Sequence, residues 1–96
     1  MKVTFEPAAR DELERIFAWI ARDNPRAAEA MIARIEAKVM QLESPELAYL
    51  GRPGLVAGTR ELLEWPYVIV YKVDDNRGEI VVVSVVHGAQ DRAGQR

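Results

Sequence analysis

His87 is the only histidine of the chain and the only side chain whose ordinary pKa, about 6.5, suits proton transfer near neutrality. It closes the apolar run that begins at Ile80. Two arginines stand upstream beside glycines: Arg52 in GRPG and Arg60 in GTREL. A guanidinium presents planar, bidentate donors that match phosphate or carboxylate. Tyr67 and Tyr71, in YVIVY, offer rings on which a base can stack. Trp19 is an indole set off the apolar stripe of its segment, a residue type enriched where proteins bind each other. Each has a plainer reading. His87 can cap a strand, Arg60 can pair with Glu61, Glu64 or Glu79, and Arg52 can simply be solvated. The tyrosines and Trp19 can pack in the core or at its rim.

The elements that must position these residues follow from patterning. Lys2 to Phe5 alternates as a short strand, and Pro7 has the preset φ of a first helical turn. From Pro7 to Arg22, Ala9, Leu13, Ile16, Phe17 and Ile20 recur on one helical face, which is expected to be buried. Asn24-Pro25 is an N-cap followed by a helix-starting proline, so a second helix runs to Leu42 with Ala28, Met31, Ile32, Ile35, Val39 and Leu42 on its stripe. Residues 43–58, rich in glycine and proline, form a loop of the length that more often serves function than connection. Strands are expected over residues 59–65 and 67–73, with Pro66 at a turn, bulge or edge, and then over 79–87 after the turn chemistry of Asp74 to Gly78. Alternation puts Ile80, Val82 and Val86 on one face of the last strand and Val81, Val83 and Val85 on the other. A strand apolar on both faces is normally covered on both sides, yet the chain supplies helices for one side only. A partner is expected on the other. The tail, residues 88–96, has no periodicity.

A chain of 96 residues is one domain, and an apolar fraction of 49% with 29% charged residues marks a folding sequence rather than a disordered one. With no cysteine and one histidine, disulfides and thiolate metal sites are excluded, and neither a metal nor a cofactor is expected. No signal-like segment opens the chain, and the run from Ile80 to Val86 is too short to cross a bilayer, so a cytoplasmic protein without membrane contact is expected. Thirteen basic against fifteen acidic side chains give a formal charge of −2, which disfavours a general affinity for phosphates.

The segment from Gly51 to Ala89, with its GRPG and GTREL motifs, its YVIVY strand and its closing HGA, resembles the RelE/ParE superfamily of bacterial type II toxins, and the resemblance spans nearly the whole chain. It implies an α+β fold in the order β-α-α-β-β-β: a short strand, a helical hairpin over about residues 7–42, and a three-stranded antiparallel sheet over 59–87 packed on the helices. It also implies a cognate antitoxin as partner, in a hetero-oligomer, and either DNA gyrase or ribosome-bound mRNA as target. Under the RelE-like reading Arg60 matches the phosphate-facing arginine and works with His87, while Arg52, Tyr71 and Arg92 contact the target. Trp19 and Tyr67 are the residues expected to meet the partner. Many relatives follow HGA with arginine, whereas this chain has Gln90 and then Asp91-Arg92. The lost cation and the acidic balance favour ParE-like inhibition of gyrase, which needs no catalytic set, over the RelE-like nuclease. A member that keeps the fold without toxicity is the third reading.

Overall fold

The computed structural model describes residues 1–88. Strand β1 (Lys2–Phe5) leads into helices α1 (Pro7–Ala21) and α2 (Pro25–Met40), then β2 (Arg52–Pro53), β3 (Arg60–Glu64), β4 (Tyr67–Asp74) and β5 (Glu79–His87). Every expected helix and strand is present to within two residues. Pro7 and Pro25 occupy the first turns of the two helices, and the Asn24 side chain caps α2 by accepting from the Ala27 N–H at 3.1 Å.

The three expected antiparallel strands, β3, β4 and β5, form the middle of a larger sheet. Its order is β1-β5-β4-β3-β2, with β1 parallel to β5 and β2 antiparallel to β3. The sheet therefore has five strands, not three. Both additions come from segments too short for their pairing to be read from pattern. The loop over residues 43–58 is correspondingly less irregular than expected, since it holds 3₁₀ turns at Gln41–Glu43 and Pro45–Leu47 as well as β2.

Both helices pack on one face of the sheet. Ala9, Leu13 and Ile16 of α1 and Met31, Ile35 and Val39 of α2 meet Leu62, Ile69, Tyr71, Ile80, Val82 and Val85 in one core. Phe17 was expected in this core but is exposed, because it lies on the outer seam of the hairpin beside Ile32. Val85 is also a correction: it faces the helices with Ile80 and Val82, where simple alternation put Val86. The register against β4 shifts between Val70 and Tyr71, which pair with Ser84 and Val82, leaving Val83 as an extra residue that reverses the phase of the strand.

On the other face, alternation along β3 and β4 places Glu61, Leu63, Val68, Val70 and Lys72, with Val81 of β5 beside them. Among the described residues no helix covers this side. On this face Leu63 is exposed and Val70, Val81 and Val86 are half-buried, whereas Val68 and Glu61 are buried.

Candidate functional site

β1 pairs with β5 only as far as Val82, so among the described residues no strand runs beside β5 from Val83 to His87. α1 runs past this edge instead. Between them lies a groove of about 460 Å³ lined by Glu12, Arg15, Ile16, Trp19, Tyr67, Val85, Val86 and His87. Glu12 stands at its floor, where its carboxylate accepts the Ser84 hydroxyl at 3.1 Å and the Val85 N–H at 3.1 Å. It thereby satisfies a backbone donor that the missing strand would otherwise have taken. Tyr67 is buried and meets the His87 ring edge to face, with centroids 5.7 Å apart. Burial pushes the Tyr67 phenol above its ordinary pKa, so it stays neutral near pH 7. Trp19 is 67% exposed at the groove's rim, with the Arg22 guanidinium 5.4 Å from its ring.

The arginines lie elsewhere. Arg60 is half-buried at the far end of β3, where its Nε donates to the Gly51 carbonyl at 2.7 Å and its guanidinium lies 5.4 Å from the Tyr49 ring. The Tyr49 hydroxyl in turn bonds Asp75, which raises the pKa of that phenol. Glu64, one of the glutamates considered from sequence, meets Arg34 and Lys38 of α2. Arg52 pairs across the ladder with Glu61, and its Nε lies 3.4 Å from the Glu61 carboxylate, itself buried. Glu61 and Arg60 are adjacent in β3 and so project to opposite faces. Arg52 shares the face of Glu61, and the two arginines point to opposite sides of the sheet.

Tyr71 does not present a surface to any target. It is fully buried, its hydroxyl accepting the Gly51 N–H at 2.9 Å and donating to the Ala48 carbonyl at 3.0 Å. The approach is close enough that a Cβ on Gly51 would come within 2.6 Å of the Glu61 carbonyl oxygen and 2.9 Å of the Tyr71 ring, which explains the glycine of GRPG. Arg92 and Gln90 lie outside the described residues.

The structure thus joins His87, Tyr67 and Trp19 in one groove and leaves Arg60 and Arg52 out of it. His87 and Arg60 pair with β4 at Tyr67 and Tyr71, four residues apart, and lie on strands either side of it. At about 3.3 Å per residue and about 4.8 Å per strand, their backbones are roughly 16 Å apart. Buried Ile69 and Tyr71 fill the space between.

Glu12 and Arg15 escaped the sequence reading and Ile16 was read only as core, although Glu12, Ile16 and Trp19 are spaced i, i+4, i+7 and so share a helical flank. Tyr49 also escaped it, because nothing local reveals that it lies under Arg60.

The sequence model of the family described as "ParE toxin of type II toxin-antitoxin system, parDE" matches residues 3–92 of this chain. The chain belongs to the ParE toxin family. A Sinorhizobium fredii protein named "Putative toxin Y4kP" is 36% identical over 80 residues, covering 81% of this chain and 78% of that one. Among solved structures, the ParE fold of this chain resembles one described as the chromosomal ParDE system from P. aeruginosa, at a TM-score of 0.76 and 23% identity, covering 91% and 95% of the two chains. The toxin–antitoxin complex RelBE2 from Mycobacterium tuberculosis follows at 0.64 and 24%, covering 90% and 95%. Isolated E. coli RelE gives 0.63 and 15%, covering 99% and 96%. The ParE-family chain is therefore a toxin of the RelE/ParE superfamily of type II toxin–antitoxin systems. No helix among the described residues is long and apolar enough to cross a membrane.

Proposed function

We propose that this toxin acts in the cytoplasm by binding and inhibiting DNA gyrase, and that a cognate antitoxin neutralises it by laying an extended segment into the groove between α1 and β5. The observation that carries the target is the dispersal of the phosphate-handling residues. A nuclease that makes a ribose hydroxyl attack the adjacent phosphate needs a proton acceptor and cations around one phosphorus. Here His87 and Arg60 stand on strands either side of β4, opposite Tyr67 and Tyr71, and Arg52 lies on the other face beside Glu61. Inhibition by binding needs no such cluster.

The antitoxin reading is supported by the groove itself, which is concave, partly apolar and bordered by the stretch of β5 beyond its pairing with β1. A disordered peptide can wrap a surface of this kind. The solved relatives include complexes of toxin with antitoxin.

The test uses the purified chain, free of antitoxin, on gyrase with plasmid DNA and on translating ribosomes. Inhibited supercoiling with accumulated gyrase–DNA cleavage complexes, and intact mRNA, is the expected result. Ribosome-dependent mRNA cleavage that weakens in His87→Ala or Arg60→Ala would overturn it in favour of the RelE-like mechanism. Induced expression without growth arrest, in a host that has both targets, would point to a member without toxicity.

A further inference from the structure

The turn between β2 and β3 carries residues that its own fold does not require. At its tip Leu55 and Val56 are 58% and 63% exposed, although turn positions between glycines accept small polar residues at least as well. The backbone beneath them is held firmly. The Gly54 N–H donates to the Thr59 carbonyl at 2.8 Å, and the Val56 carbonyl accepts both the Thr59 N–H at 3.1 Å and the Thr59 hydroxyl at 2.6 Å. Leu55 donates its N–H to Glu61 at 3.2 Å. A Cβ on Gly54 would collide with the Thr59 hydroxyl, so the turn closes this tightly only with glycine there. Tyr49 and Leu50, half-exposed on the same loop, precede a segment that Tyr71 and Arg60 pin at Gly51.

An apolar surface presented on an ordered scaffold marks a contact site. Its charge balance narrows the partner. Arg52 lies against Glu61, and Arg60 lies over Tyr49, whose hydroxyl bonds Asp75. The Arg52 charge is matched by Glu61 and the Arg60 guanidinium is turned onto the Gly51 carbonyl and the Tyr49 ring, so this surface complements an uncharged apolar pocket better than a nucleic-acid backbone, which is bound by cations meeting phosphates. Shape points the same way. A rigid convex tip suits a preformed cavity on a folded protein, whereas a flexible peptide suits a concave groove of the kind found between α1 and β5.

We infer that the β2–β3 turn, led by Leu55 and Val56, is the surface with which this toxin engages its folded protein target, by insertion into an apolar pocket. The inference rests on the gyrase-binding reading above. Its test titrates wild-type protein and the Leu55→Glu/Val56→Glu double variant against intact gyrase with plasmid DNA, with thermal unfolding of both recorded. The wild type is expected to inhibit, and the variant to need about tenfold more protein or worse, since two apolar contacts would become buried charges. Should the glutamate variant fail to fold, Leu55→Ser/Val56→Ser must show a loss in the same direction.

Equal inhibition by wild type and variant would overturn the turn's role and leave gyrase as the target. A wild type that leaves gyrase untouched would overturn both, an outcome read without any variant. If the substitutions instead abolished mRNA cleavage on ribosomes, the turn would be a nucleic-acid surface. If they converted a sedimenting dimer to monomer without changing gyrase inhibition, it would be a self-interface. Either result would sink the inference.

Discussion

Tyr71 and Arg60 face each other across the β3–β4 ladder, and both hold the same short stretch of backbone, Ala48 to Gly51. Their polar groups, which on sequence alone suit contact with a target, are used to fix a loop. Tyr71→Phe is expected to leave a buried N–H and a buried carbonyl without their partner, at a cost of about 1–3 kcal/mol. Urea unfolding should show a lower midpoint with little change in slope, and gyrase inhibition should weaken because the loop loosens. An unchanged midpoint would mean the bridge contributes nothing. This role was not legible in the sequence, because the hydroxyl meets residues far upstream through a pairing that only the folded sheet creates. His87 closes one strand and Tyr67 opens another, positions readable from the sequence, but their edge-to-face contact depends on the same register.

At the scale of elements, the helices and the three long strands could be read because proline, asparagine and glycine punctuate clean periodic runs. β5 shows where that reading stops. In a run of valines the side chains carry no phase, so nothing in VVVSVV marks Val83 as the residue that bulges. Beyond its pairing with β1, the β5 edge is held by Glu12, whose carboxylate stands in for a neighbouring strand at Ser84 and Val85. Removing that acceptor in Glu12→Ala should lower stability by about 1–3 kcal/mol, the usual cost of a backbone donor left without a partner. It should also expose an edge able to pair with another chain. Sedimentation at rising concentration should detect self-association in Glu12→Ala, and less of it in Glu12→Gln, which keeps an acceptor oxygen. A strictly monomeric Glu12→Ala protein of unchanged stability would show that the carboxylate protects nothing.

For the whole molecule, the formal charge of −2 and the dispersal of its arginines predict a weak dependence of target binding on salt. Direct binding to gyrase without DNA, measured between 50 and 200 mM salt, should change by no more than about threefold. A surface that meets six to ten phosphates would lose roughly 10³–10⁵ over that interval. A steep decline would therefore contradict the apolar contact and revive a phosphate-bound target. The family and the fold were legible from motifs spread along the chain, whereas the two surfaces were not, because each joins residues brought together only by the sheet.

The separation of His87 from Arg60 also sets a length requirement on the antitoxin. A polypeptide that fills the groove alone leaves the β2–β3 turn in the open, and toxin, antitoxin and target could then assemble as a three-component complex. Silencing by direct competition requires the antitoxin to continue across the sheet diagonal and past Arg60 to the turn, a reach greater than roughly 16 Å or about five extended residues. Stepwise truncation of that polypeptide would separate tight capture from neutralisation: the shortest fragments would hold the toxin firmly and yet fail to protect the cell.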